Sequence, residues 1–106
     1  MGSIIWAETV NAIRRINPTT TLETLIPDFQ GNHRNLDRII EVRPEVVSHN
    51  VETVSRLTRK VRVQAKYKTS LEVLRYLKEQ GINRTKSGIM LGLGEREEEV
   101  LETLNN

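Results

Sequence analysis

Three clusters of polar residues in this 106-residue chain sit where a ligand could be held, each directly after a β-branched or apolar run. Asp28 follows the first run, His49, Asn50 and Glu52 follow the second, and Gly92, Gly94 and Glu95 close the third. Ligands of α/β sheets and barrels bind at the carboxyl ends of the strands, so residues distant in sequence can meet there. Each also has a plainer reading. Asn50 can cap the helix after it, Asp28 can hold a turn, and Glu95-Arg96-Glu97-Glu98-Glu99 can be a solvated first turn favoured by the helix dipole.

Gly88, Gly92 and Gly94 are harder to read as structure alone. Glycine inside a strand weakens it and often marks close approach by a ligand or a second backbone. The GxGxxG dinucleotide order is absent and no Walker-type lysine follows, so neither fingerprint applies. His49 and His33 lack the spacing of a metal pair, and a solvent-facing or hydrogen-bonded histidine is expected; no metal ligand is assigned. The chain has no cysteine, which excludes disulfides, thiolate zinc sites and cysteine-ligated iron–sulfur clusters held by these residues.

The elements that must position these groups follow from periodicity. Trp6, Val10, Ile13 and Ile16 predict a helix from Ile5 to Ile16, stopped by Asn17-Pro18. Thr19 to Ile26 reads as a strand, Asn35 to Val42 as a helix ended before Pro44, and Glu45 to Ser48 as a second strand. Val51, Val54, Leu57 and Val61 predict a further helix. Thr69-Ser70-Leu71-Glu72 has the form of a capping box opening a helix through Leu74 and Leu77 to Gly81. Ser87 to Leu93 reads as a third strand, and Glu95 to Leu104 as a last helix with Val100, Leu101 and Leu104 inward.

This alternation predicts an α/β fold with about three parallel strands and flanking helices, because parallel strands need crossover connections. Three such strands leave two open edges, so the chain is expected to be a piece of something larger or to self-associate. Apolar residues at 37% and charged residues at 28% place it among globular proteins. Sixteen basic against 14 acidic residues is too balanced to point to nucleic acid. No apolar run reaches the roughly 18 residues of a membrane span, and a cytoplasmic location is the default. Met1-Gly2-Ser3 is set apart as a candidate vector-derived remnant, leaving 4–106 as the domain.

Gly88-Ile89-Met90-Leu91-Gly92-Leu93-Gly94-Glu95 resembles the GxIxGxxE strand motif of radical S-adenosylmethionine enzymes, with Met90 in the isoleucine position. Extended to Thr85-Lys86-Ser87, and joined by Glu23-Thr24-Leu25-Ile26-Pro27-Asp28-Phe29 and Ser48-His49-Asn50-Val51-Glu52-Thr53-Val54, the pattern is similar to the lipoyl synthase family in particular. The three motifs span nearly the whole chain, in family order and spacing.

The resemblance implies a partial (β/α) TIM-like barrel of six strands, of which this chain carries the third to fifth strand-helix units. It implies an enzyme that inserts two sulfur atoms at C6 and C8 of a protein-bound octanoyl chain, through a 5′-deoxyadenosyl radical made from S-adenosylmethionine. Two 4Fe–4S clusters are implied for the full-length parent, one held by a CxxxCxxC loop. Those cysteines are absent here, so the chain itself is expected to be inactive, with no catalytic residue assigned. By carry-over, Asn50 and Glu52 would contact the methionine or ribose part of S-adenosylmethionine, since a carboxylate accepts from an ammonium or hydroxyl and an amide does both. Gly88, Met90 and Gly92 would bring backbone and a soft apolar contact close to the adenine, with Glu95 ordering the turn. Asp28, Lys86 and Ser87 are weaker candidates for lining the same cavity. The implied partner is an octanoylated lipoyl-carrier domain, with no nucleic acid and no membrane. A biotin-synthase-like enzyme and a non-catalytic α/β domain are the competing readings.

Overall fold

A computed structural model describes residues 2–51, 64–92 and 94–106. Helix α1 (Gly2–Ile16) is followed by strand β1 (Glu23–Leu25), a 3-10 turn (Phe29–Gly31), α2 (His33–Val42), β2 (Val46–Ser48), α3 (Gln64–Glu79), β3 (Arg84–Lys86) and α4 (Glu97–Asn105). The strands form one parallel sheet in the order β1-β2-β3, with Thr24, Val47 and Thr85 side by side in the central row. This is the predicted α/β class, three parallel strands with flanking helices, the arrangement of a barrel sector.

Alternation along the strands turns Thr24, Val47 and Thr85 toward the helices. Val47 is fully buried among Leu36 and Ile39 of α2, Val73 and Leu77 of α3, and Ile26 and Ile82 from the strand-flanking loops. Each such aliphatic side chain contributes about 1.5–3 kcal/mol by leaving water, so this cluster is what fixes the helices on the sheet. The opposite face carries Glu23, Leu25, Val46, Ser48, Arg84 and Lys86, and most of it is open. Parallel sheets are normally covered on both faces, and the described helices cover one of them here.

Local chemistry explains the helix ends. The Asn32 side chain accepts from the backbone N–H of Asn35 at 3.2 Å and caps α2. Arg43 ends it in the left-handed region at φ 46°. Arg14 of α1 donates to the last carbonyls, Val42 O and Arg43 O, and pairs with Glu45 at 3.3 Å. The other Glu45 oxygen accepts from Leu22 N–H at 2.7 Å, so one arginine and one glutamate bind α1, the end of α2 and the entry to β1 together. At Gly81, φ 97°, the amides of Gly81 and Ile82 return to Lys78 O and Leu77 O, the paired bonds that satisfy the end of α3.

Several expectations need correction. The first strand spans only Glu23–Leu25, because residues 17–20 close a turn through Thr20 N to Asn17 O. Thr69 opens no helix: α3 begins at Gln64, and Ser70 lies inside it, buried with Tyr67, Val73 and Leu77 along one stripe. The third strand is Arg84–Lys86, not Ser87 to Leu93, and the glycine motif follows it; Gly92 and Gly94 have φ of 91° and 107°, which an extended strand cannot contain. Leu101 and Leu104 are exposed at 54% and 70%, while Thr103 takes the inward position on α4. Gly2 and Ser3 belong to α1, and buried Ser3 donates to Asn35 at 2.7 Å. All of the helix predicted from Val51 to Val61 except Val51 itself lies outside the described residues.

Candidate functional site

Because the strands are parallel, all three end on the same rim. Backbone bonds continue the sheet one step past it: Ile26 N–H donates to Ser48 O at 2.9 Å, and His49 N–H to Lys86 O at 2.8 Å. Val51 N–H then donates to the Ser87 hydroxyl at 3.1 Å, which ties the segment after β2 to the segment after β3.

Asn50 sits in this seam. A Cβ built on Gly88 would lie 3.1 Å from Asn50 Oδ1, closer than side chains normally approach, so glycine is what allows the amide to lie against the strand-end backbone. Gly92 and Gly94 have nothing within 4 Å of their missing side chains, and their positive φ turns the chain. The Glu95 carboxylate accepts from Gly92 N–H at 2.9 Å and holds that turn closed. Met90 is 45% exposed beside it in sequence.

The weaker candidates have defined structural tasks. Asp28 is buried and accepts from Gln30 N–H at 2.8 Å, capping the 3-10 turn. Lys86 points along the open sheet face and pairs with Glu23 at 3.2 Å. Ser87 is the acceptor for Val51. Thus Asn50, Ser87 and Gly88 are brought together, Lys86 and Asp28 flank them on β3 and after β1, and Glu52 lies outside the described residues.

Sequence reasoning left the partners of two residues unread. His49, expected to be solvent-facing or hydrogen-bonded, is buried and hydrogen-bonded, with Nδ1 2.9 Å from Ile26 O and Nε2 2.8 Å from the Ser70 hydroxyl. Glu23 gathers the Ser48 hydroxyl at 3.0 Å and the Lys86 ammonium across the sheet. Its carboxyl is held below the usual carboxylate range, first by the Ser48 hydrogen bond and then by Lys86. The period-2 pattern Glu23-x-Leu25, Val46-x-Ser48 and Arg84-x-Lys86 carries the second signal, but only once the register is known. His33 stacks on Tyr76 with ring centroids 3.9 Å apart.

What the residues can hold differs by ligand. An amide lying against glycine backbone suits a flat polar organic molecule such as a nucleoside. An iron–sulfur cluster does not fit, since no thiolate exists in the chain. Among the described residues no group of three or more His, Cys, Asp or Glu could hold a metal ion, and no helix is long and apolar enough to cross a membrane. A groove of about 270 Å³ between α1 and β1, lined by Trp6, Val10, Ile13 and Leu22, contains none of the rim residues.

The family model of the Radical SAM superfamily matches residues 5–106. Over all 106 residues the chain is 82% identical to a protein named "Lipoyl synthase, mitochondrial" from Nematostella vectensis and 78% identical to the lipoyl synthase of Christiangramia forsetii. Identity to a lipoyl synthase of Bacteroides fragilis is 51% over the same length. The chain spans 36% of the length of each of these relatives.

Proposed function

We propose, from the premise that this chain belongs to the radical S-adenosylmethionine superfamily, that it is the central part of a lipoyl synthase and supplies one wall of the S-adenosylmethionine site. The observation that carries the reading is the seam in which Asn50 lies against Gly88, on the rim that also bears the Glu95-closed glycine turn. In the parent, bound S-adenosylmethionine and its reducing cluster supply the hydrogen-abstracting chemistry. This chain's residues bind and orient. The Asn50 amide offers a donor and an acceptor to the ribose or methionine part, joined by Glu52, and the backbone at Gly88, Met90 and Gly92 offers a flat surface to the adenine.

The parent inserts sulfur at C6 and C8 of an octanoyl chain carried by a lipoyl-carrier domain, and uses two 4Fe–4S clusters whose cysteine ligands lie in the remaining sequence. The chain alone is inactive and self-associates through its open edges. It binds neither nucleic acid nor membrane. The parent is placed in the cytoplasm, with a mitochondrial location as the alternative suggested by the name of the Nematostella vectensis relative.

The test is a chimera. This chain replaces the matching segment of the Christiangramia forsetii lipoyl synthase, and the purified, cluster-loaded protein is given S-adenosylmethionine and an octanoylated carrier peptide. Mass spectrometry should find the lipoyl product. A correctly folded, cluster-loaded chimera that cleaves S-adenosylmethionine without adding sulfur would refute the lipoyl synthase assignment.

A further inference from the structure

His49 joins four elements at once. Its backbone N–H reaches β3 at Lys86 O, its Nδ1 reaches the end of β1 at Ile26 O, and its Nε2 reaches Ser70 inside α3, while its own backbone continues β2 into Asn50. A carbonyl oxygen can only accept, so Nδ1 must carry the hydrogen. In the neutral ring Nε2 then accepts from the Ser70 hydroxyl. Both side chains are buried, His49 at 4% exposure and Ser70 at 0%, so this bond is shut off from water and from any ligand. An imidazole held at both nitrogens inside a packed core has no rotamer freedom left, and the residue next to it inherits that fixed backbone.

From this we infer that His49 and Ser70 are positioning residues: they set the backbone at Asn50 so that its amide rests against Gly88, and α3 thereby helps determine affinity for the nucleoside ligand. The inference rests on the proposed role of Asn50. Neither His49 nor Ser70 is a catalytic residue, because both lie beneath the rim.

The experiment measures S-adenosylmethionine affinity by equilibrium dialysis in the cluster-loaded chimera described above, for Ser70→Ala, His49→Asn, Asn50→Ala and the Ser70→Ala/Asn50→Ala double variant, with thermal melting to verify folding. His49→Asn keeps a donor near the Nδ1 position and loses the Ser70 link. Loss of the buried bond should weaken binding about tenfold in Ser70→Ala and in His49→Asn. In the double variant Ser70→Ala should add nothing to the effect of Asn50→Ala, whereas a general structural role would add its full effect. Nitrogen NMR of the parent chimera gives a readout that does not depend on a variant folding: His49 should show a protonated Nδ1 and an unprotonated Nε2. If Asn50→Ala weakens binding but folded Ser70→Ala does not, or if the NMR finds the opposite tautomer, the positioning role is overturned. If Asn50→Ala binds as tightly as the parent, the cofactor reading itself fails.

Discussion

Lys86 on β3 and Glu23 on β1 pair across the intervening strand, with both carboxylate oxygens 3.2 Å from the ammonium and Ser48 of β2 donating to the same carboxylate. One glutamate therefore links all three strands on the face that carries no helix among the described residues. The bond is diagonal, since Glu23 is in register with Val46 and Arg84 while Ser48 and Lys86 lie two residues further along. In the open sheet it is a surface pair, and such pairs add little to stability. Under a cover its charges are already compensated, which is the condition for enclosing them.

That pairing predicts a pH dependence. Glu23 has its folded pKa lowered from 4.5, so its contribution to stability is present above that value and is lost as pH falls through the lowered folded value. Melting curves of the parent protein and Glu23→Gln should differ at neutral pH and converge in the acid range below the ordinary carboxylate value. A difference that grows on acidification would contradict the assignment.

Gly88→Ala should separate binding from stability. Gly88 has no positive φ, so alanine adds no backbone strain, and the entropy it removes from the unfolded chain is worth about 0.4–1 kcal/mol in favour of folding. The added carbon meets Asn50 Oδ1 at 3.1 Å and pushes the amide aside. Melting temperature should change little while S-adenosylmethionine affinity in the chimera drops severalfold. Unchanged affinity would mean that Asn50 does not contact the ligand.

Leu77→Ala tests the core. Leu77 is fully buried, packs in the cluster around Val47, and lends its carbonyl to the cap at Ile82. Truncation should cost about 2–5 kcal/mol, measured by urea unfolding. A loss below about 1 kcal/mol would mean that the helices are not seated on the sheet through this cluster.

The chain by itself should associate. Ile5, Ile16, Leu91 and Leu104 are each 66% or more exposed, and Leu25 at 57% lies on the uncovered sheet face. Light scattering across a concentration series should show growing mass, reduced by Ile5→Lys with Leu104→Glu. A cooperative monomer at every concentration would show that edges and patches are tolerated without a partner.

The strand-helix alternation, the end of α2 at Val42, the Gly81 stop and the resemblance of three motifs were legible in the sequence, because each depends on spacing within a few neighbouring residues. The placement of β3 was not. Arg84-Thr85-Lys86 looks like a polar connection, and it becomes a strand only because β2, and His49 just after it, offer backbone partners beside it. The same holds for α3, whose start precedes the Thr69 capping pattern because Tyr67 and Ser70 find buried contacts that local propensity does not contain.

Sequence by itself thus determined which polar groups follow the first two strands and what family the chain resembles. Only the tertiary structure decided that His49 is buried against Ser70, that Asn50 meets Gly88, and that Glu23 reaches Lys86. The reason is physical: short-range periodicity sets the elements, whereas the register of parallel strands and the packing of helices on them are contacts between residues 21 to 63 positions apart, and these assign each polar side chain its partner.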